Sequence, residues 1–211
     1  MAKPRIFGAD YSVYVRIVRL ALAEKGIDYD LAPLDIFAEG GPPPDYLDRQ
    51  PFARIPAFEH DGFALYETSA ITRYIDEAFD GPALQPTDTI ERARCNQLIS
   101  IADNYAYPHL VWGIFVECAE KPAQGAPVDE AAIAALRPKA ETCLKAMSDL
   151  MGDRPWLAGD ALSLADLYAA PMMDYFLKAG EGRDMIGGHP NLQAWWSRIA
   201  GRPSMTVSEP T

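Results

Sequence analysis

Positive charge is scarce in this chain: 19 lysines and arginines face 30 aspartates and glutamates, a formal net charge of −11. A phosphate backbone or an anionic membrane surface is held by clustered Lys and Arg, so neither nucleic acid nor a membrane is an expected partner. Long apolar runs are also absent. None approaches the roughly 20 residues that span a bilayer, and Met1-Ala-Lys-Pro-Arg5 passes straight into a strand-like run without a secretion signal. A cytoplasmic protein is therefore expected. There are only three cysteines, Cys95, Cys118 and Cys143, widely spaced in helix-like sequence, which suits buried apolar residues rather than a disulfide framework. His60, His109 and His189 stand far apart and outside any ligand-spaced motif. No metal is expected.

The chain has 211 residues, 49% of them hydrophobic, enough for one large domain or two small ones. Its first 80 residues alternate in period. Pro4–Gly8 reads as a strand, Ser12–Lys25 as a helix ended by Gly26, and Tyr29–Leu34 as a second strand. In that helix Val15, Val18, Ala21 and Leu22 share one face, with Arg16, Arg19 and Lys25 on the other sides. A Gly- and Pro-rich loop, Glu39 to Pro44, leads into a short helical stretch at Asp45–Arg49. Ala57–Glu59 and Ala64–Tyr66 form a hairpin around Asp61-Gly62, a favoured turn dipeptide, and Thr68–Phe79 is an amphipathic helix.

Asp80-Gly-Pro82 and Gln85-Pro-Thr-Asp88 read as a linker, and no strand signal follows them. Thr89–Glu120 has helical periodicity with a kink or break expected near Tyr107, because Pro108 follows. Ala131–Met151 is the next helix, its pattern interrupted by Pro138. Ser163–Leu177 opens on a capping-box-like Ser-x-x-Asp, and Asn191–Ala200 is a final short helix. The expected fold class is α/β followed by all-α, with boundaries at 1–80, 81–88 (linker) and 89–211.

The most informative stretch is Gln50-Pro-Phe-Ala-Arg-Ile-Pro-Ala-Phe58, followed by Asp61-Gly62 and Tyr66-Glu-Thr-Ser-Ala-Ile71. Pro56 has no N–H and holds Ile55 extended, so a strand can begin after it while Ile55 keeps backbone groups for another peptide. A short extended ligand can add there as one more strand.

Taken in order, Phe7-Gly-Ala-Asp-Tyr-Ser12 with Arg16, Gln50-Pro-Phe, Ile55-Pro56-Ala-Phe58, Glu67-Thr-Ser-Ala-Ile71, Trp156-Leu-Ala-Gly159 and Ser163-Leu-Ala-Asp166 resemble the cytosolic glutathione S-transferase family over nearly the whole chain. The motifs are most similar to bacterial-type members with a serine-type site, near the phi and theta-like branches. The resemblance implies a thioredoxin-like N-terminal domain, a helical C-terminal domain, glutathione as co-substrate, an apolar electrophile as second substrate, and a homodimer. A fold alone does not settle function.

By position alone Ser12 is best read as a helix N-cap; in the resemblance it takes the serine position that stabilises the glutathione thiolate. Tyr11 is the runner-up for that hydroxyl, or a wall of the electrophile pocket. Arg16, one turn beyond Ser12, adds positive field or is a structural arginine. The resemblance further implies a cis Ile55–Pro56 bond, backbone pairing of Ile55 to the cysteinyl unit, and binding of the γ-glutamyl carboxylate by Glu67 and Thr68, Thr68 being also an N-cap. Relatives often place a Lys or His before the short second helix; here stand Gly40-Gly41-Pro42-Pro43-Pro44. Arg54 is the candidate cation in its place, or a surface charge. Tyr105, Tyr107, His109, Trp112 and Phe115 crowd one helical stretch, of which Tyr105 and Trp112 are the candidate electrophile walls and the rest core. Asp103 is a candidate for the ligand's amino group across a dimer interface.

The leading reading is a transferase that conjugates the glutathione thiolate to an apolar electrophile. The alternatives are a non-catalytic interaction protein of the same fold, or a glutathione-dependent peroxidase or isomerase. A thiol–disulfide reductase is disfavoured, since residues 9–14 contain no cysteine.

Overall fold

The computed structural model describes residues 2–210. The chain divides into two compact units, Met1–Leu84 together with the segment from Arg202 onward, and Gln85–Gly201.

The first unit is a four-stranded sheet in the order β2-β1-β3-β4 with helices α1 to α3. Strand β1 (Arg5–Phe7) runs parallel to β2 (Asp30–Ala32) and antiparallel to β3 (Ala57–His60), which pairs with β4 (Phe63–Tyr66). The hairpin turns at Asp61 and Gly62, both at positive φ (49° and 79°), as a two-residue turn matched to strand twist requires. Between the strands lie α1 (Val13–Glu24) and α2 (Pro44–Leu47), and α3 (Thr68–Ala78) follows the hairpin. Helix α2 starts at Pro44, one residue earlier than expected, because proline suits the first helical position. The core is Ile6, Val15, Val18, Leu22, Phe58, Ile71 and Ile75.

Helix α1 is buried on more than its apolar face, since Arg16 and Arg19 are buried too. The cause is a short helix absent from the sequence reading, α10 (Pro203–Val207), which belongs to the same unit. Arg16 Nε donates to the Ser208 carbonyl (3.2 Å), and Arg19 donates to the carbonyls of Ser208 (3.1 Å) and Val207 (2.8 Å). These are carbonyls at the end of α10, where cations are favoured. At the other end of α1, Glu24 accepts two bonds from Arg202 (2.7 and 2.6 Å) and one from Ser204. Burial pushes the Glu24 carboxyl up, but the bonds from Arg202 and Ser204 and the Arg202 charge outweigh it and hold the group below the ordinary carboxylate range.

The second unit is helical. Helix α4 (Thr89–Ile101), capped by Asp88, continues without a break into a π-helical segment, Ala102–Glu120, that contains Pro108. The expected break near Tyr107 is absent, and the hydrogen-bond register changes from Ala102 onward. The wider ladder is seen where Lys121 N reaches back five residues to Val116 O. Helices α5 (Lys121–Ala123), α6 (Glu130–Met151), α7 (Leu164–Lys178), α8 (Gly180–Ile186) and α9 (Pro190–Ala200) follow. Pro138 does not interrupt α6, and α8 was not expected. Gly113 lets the π-helical segment approach α6, since a Cβ there would lie 2.8 Å from Leu136.

The capping box expected at Ser163 is present and is the polar centre of this unit. Asp166, fully buried, accepts from Leu157 N (2.8 Å), Ser163 N (2.8 Å), Ser163 Oγ (2.9 Å) and Trp195 Nε1 (2.9 Å). Among the described residues, no helix is long and apolar enough to cross a membrane.

Candidate active site

One row of the sheet organises the site. Ala32, Phe7, Ala57 and Tyr66 are successive register partners across β2, β1, β3 and β4. Phe7 and Tyr66 end their strands and Ala57 begins its own, so the residues just beyond this row leave the sheet along one edge. Those residues are the turn from Gly8 to Ser12, the approach Arg54-Ile55-Pro56, and Glu67-Thr68. With strands about 4.8 Å apart, the three segments are spaced to receive an extended peptide of about three residues. The structure thus brings Ser12, Arg54, Ile55, Pro56, Glu67 and Thr68 to one edge of the first unit.

Ser12 caps α1 with extended backbone (φ −66°, ψ 126°), and its Oγ accepts from Val15 N at 3.5 Å. That is a long bond. It uses an oxygen lone pair and leaves the hydroxyl proton available, so the cap and a donor to an anion are compatible roles. Gly8 is required by packing: a Cβ there would sit 2.4 Å from Val15 Cγ2 and 3.3 Å from Ile55 Cβ. Tyr11 donates its hydroxyl to Asp35 Oδ1 at 2.6 Å, and Phe37 N donates to the same oxygen at 2.8 Å. These two bonds, Tyr11 first, hold the Asp35 carboxyl below its ordinary value. Arg16 lies buried against Ser208.

The segment before β3 is held by two residues whose roles sequence reasoning missed. Gln50, buried, accepts from Phe52 N (2.7 Å) and Arg54 N (3.3 Å) through Oε1, around Ala53 at φ 53°. Tyr46 donates to the Arg54 carbonyl (2.6 Å), and burial pushes its hydroxyl up to about 12. The motif Gln50-Pro-Phe marked the first; nothing local marked Tyr46. The Ile55–Pro56 bond is cis, as the resemblance implies. Ile55 precedes β3 and takes no part in its ladder.

At the end of β4, Glu67 has φ 71°, an unusual conformation for a residue with a side chain, and the next residue, Thr68, opens α3 and is buried. The loop before α2 turns at Gly40 (φ 90°) and Gly41 (φ 70°) and carries no cation. Arg49 is engaged with Glu59 (2.8 Å) and with the Phe7 ring (4.7 Å), whereas Arg54 is exposed.

Asp103, Tyr105 and Trp112 belong to the π-helical segment of the second unit. Tyr105 and Trp112 are 56% and 50% exposed, and Asp103 is partly buried. Cys95 and Cys143 are buried as expected, whereas Cys118 is only partly so. Burial pushes the Cys143 thiol up to about 11, and burial with Glu181, Glu117 and Glu130 raises Cys118. Neither is a ready thiolate. Among the described residues, no group of His, Cys, Asp and Glu is arranged to hold a metal.

Family profiles described as glutathione S-transferase N-terminal domain and C-terminal domain match residues 6–83 and 109–203. Glutathione S-transferase F14 of Arabidopsis thaliana is 31% identical over 186 residues, 86% of this chain and 73% of its own. The chain belongs to the glutathione S-transferase family. Glutathione S-transferase F13 of the same plant is 28% identical over 208 residues, 98% of this chain and 94% of its own. Among solved structures, glutathione S-transferase I from mais, in complex with an atrazine–glutathione conjugate, has a TM-score of 0.85 at 26% identity, covering 98% of this chain and 96% of that one.

Proposed function

We propose that this protein is a glutathione transferase of the serine type, bacterial in type and near the phi and theta-like branches, that conjugates glutathione to an apolar electrophile. The observation that carries the reading is the placement of Ser12, Ile55-Pro56 and Thr68 just beyond one register row of the sheet. In this reading glutathione lies extended along that edge. Ile55 pairs with the cysteinyl backbone, the start of α3 with Glu67 and Thr68 holds the γ-glutamyl carboxylate, and Arg54 holds the glycyl carboxylate in place of a cation from the Gly40–Pro44 loop.

The Ser12 hydroxyl donates to the thiolate. A thiol with a pKa of about 8.5 is only a few per cent ionised at neutral pH, and lowering that value by two units takes about 2.7 kcal/mol. A hydrogen bond to a charged group contributes about 1.5–3 kcal/mol, so Ser12 and the first N–H groups of α1 suffice. Arg16 adds a buried positive charge one turn along the same helix. Tyr11, Tyr105 and Trp112 are assigned to the electrophile. The thiolate sulfur attacks the electrophilic carbon, the leaving group departs with the bonding pair, and binding supplies proximity.

Two finer assignments go with it. The protein acts as a homodimer, supported by the exposed Phe52 and Tyr66, whose rings pair at 6.1 Å on the first unit; in that dimer Asp103 serves the partner's ligand. Three free thiols suit the reducing cytoplasm.

Calorimetric titration with reduced glutathione is expected to give saturable binding of one molecule per chain, weakened by Arg54→Ala. No heat at millimolar ligand, at two temperatures, would overturn the reading in favour of a non-catalytic interaction protein.

A further inference from the structure

Beside the turn that leads to Ser12 the first unit holds an open cleft of about 420 Å³. Its apolar lining comes from Ala9 on one side and from Leu31, Pro33 and Leu34 on the other. Two acids, Asp10 and Asp35, complete the wall. The Tyr11–Asp35 hydrogen bond joins the two sides, linking the turn after β1 to the segment after β2. Both hydrogen bonds that Asp35 receives fall on one oxygen, Oδ1. The site as described so far explains neither the acids nor the latch.

The geometry points to this cleft as a charge-selective subsite for the electrophile, with Asp35 as a specificity-determining residue that favours neutral or cationic apolar electrophiles over carboxylate-bearing ones. The identity of the reacting partner rests on the transferase reading; the charge preference rests on the cleft alone. An aromatic electrophile fits a pocket of this volume with apolar walls. A carboxylate on that ring would enter against the charges of Asp35 and Asp10, in a chain that already carries a formal charge of −11. Like charges near contact are repelled even at surface dielectric values, whereas a quaternary ammonium in the same place is attracted. Because Tyr11 ties the carboxylate to the turn, Asp35 is fixed at the rim instead of swinging into solvent.

The latch also separates the two hydroxyls at the start of α1. Tyr11 is turned to Asp35, and the Ser12 proton is left for the thiolate. Asp35→Asn is the informative substitution, because the amide oxygen can keep both hydrogen bonds while the charge is lost.

Three benzyl chlorides with para-methyl, para-carboxylate and para-trimethylammonium groups react alike, the thiolate sulfur displacing chloride. Each enzymatic kcat/KM is divided by the rate of free glutathione thiolate with the same compound. In parallel, binding of the three corresponding unreactive benzyl alcohols to the whole protein is followed by NMR. The expected result is that the carboxylate compound is disfavoured by about fivefold or more against the other two in both measurements, corresponding to about 1 kcal/mol. Asp35→Asn should narrow that ratio with an unchanged melting temperature, and Asp10→Asn should narrow it independently.

A charge preference in alcohol binding that D35N erases supports the subsite even if no chloride is conjugated, an outcome that would count against the transferase reading instead. Equal or preferred binding of the carboxylate compound, or a preference that D35N and D10N both leave intact, overturns the subsite even if all three chlorides are conjugated.

Discussion

Replacing Asp166 by alanine should unfold the helical unit well below the wild-type melting temperature. Its two oxygens accept four bonds of 2.8–2.9 Å from Leu157 N, Ser163 N, Ser163 Oγ and Trp195 Nε1, and the group is fully buried. Alanine leaves the three N–H donors without this acceptor, while the Ser163 hydroxyl can rotate. An unsatisfied buried donor costs about 1–3 kcal/mol. Relief of carboxylate burial, which raises the Asp166 pKa against the pull of its four donors, offsets part of that. The net loss is about 4 kcal/mol, or about 8–16 °C for a chain of this length. Asparagine keeps one acceptor oxygen and should fall between alanine and wild type. Thermal and urea unfolding followed by circular dichroism measure both. An alanine variant melting within about 3 °C of wild type would refute the reasoning that this carboxylate centres the unit.

Glu24→Gln should destabilise the first unit by about 1–3 kcal/mol at neutral pH, through loss of the charged bonds to Arg202 and Ser204. Because the folded pKa is lowered, that stability is fully present above the unfolded carboxyl value of about 4.3 and is lost as pH falls through the folded value. The gap between variant and wild type should therefore close on acidification, as urea titrations at several pH values would show. Gly8→Ala places a methyl 2.4 Å from Val15 Cγ2 and should cost about 1–3 kcal/mol while displacing the start of α1, read as lost glutathione affinity in calorimetry. Tyr46→Phe removes the bond to the Arg54 carbonyl; we expect a loss of about 1 kcal/mol in stability and weaker glutathione binding, with kcat changed less than KM.

The strands, the hairpin turn and helices α1, α3 and α7 were legible because each has a local signature: period-two or helical patterning, Asp61-Gly62, Ser163 with Asp166. The π-helical register was not. Pro108 announces that an α-helical ladder is disturbed, but neighbouring packing decides whether the chain bends or changes register. Nor was α10, whose five residues have no propensity to stand alone and are held by Arg16, Arg19 and Glu24 about 180 residues away. Around the candidate site, Ser12, Ile55-Pro56 and Thr68 could be named because their motifs are contiguous. Gln50 and Tyr46, which hold the approach to Pro56, and Asp35, which receives Tyr11, act through contacts that residue order does not display.

The central claim is that Ser12 stabilises a glutathione thiolate. The direct measurement is the ultraviolet thiolate absorbance of bound glutathione as a function of pH, in the wild type and in Ser12→Ala. The account predicts a bound thiol pKa about two units below the free value of about 8.5, returning most of the way in the variant. The same depressed pKa in both proteins, or a free-solution value in the wild type, would contradict it.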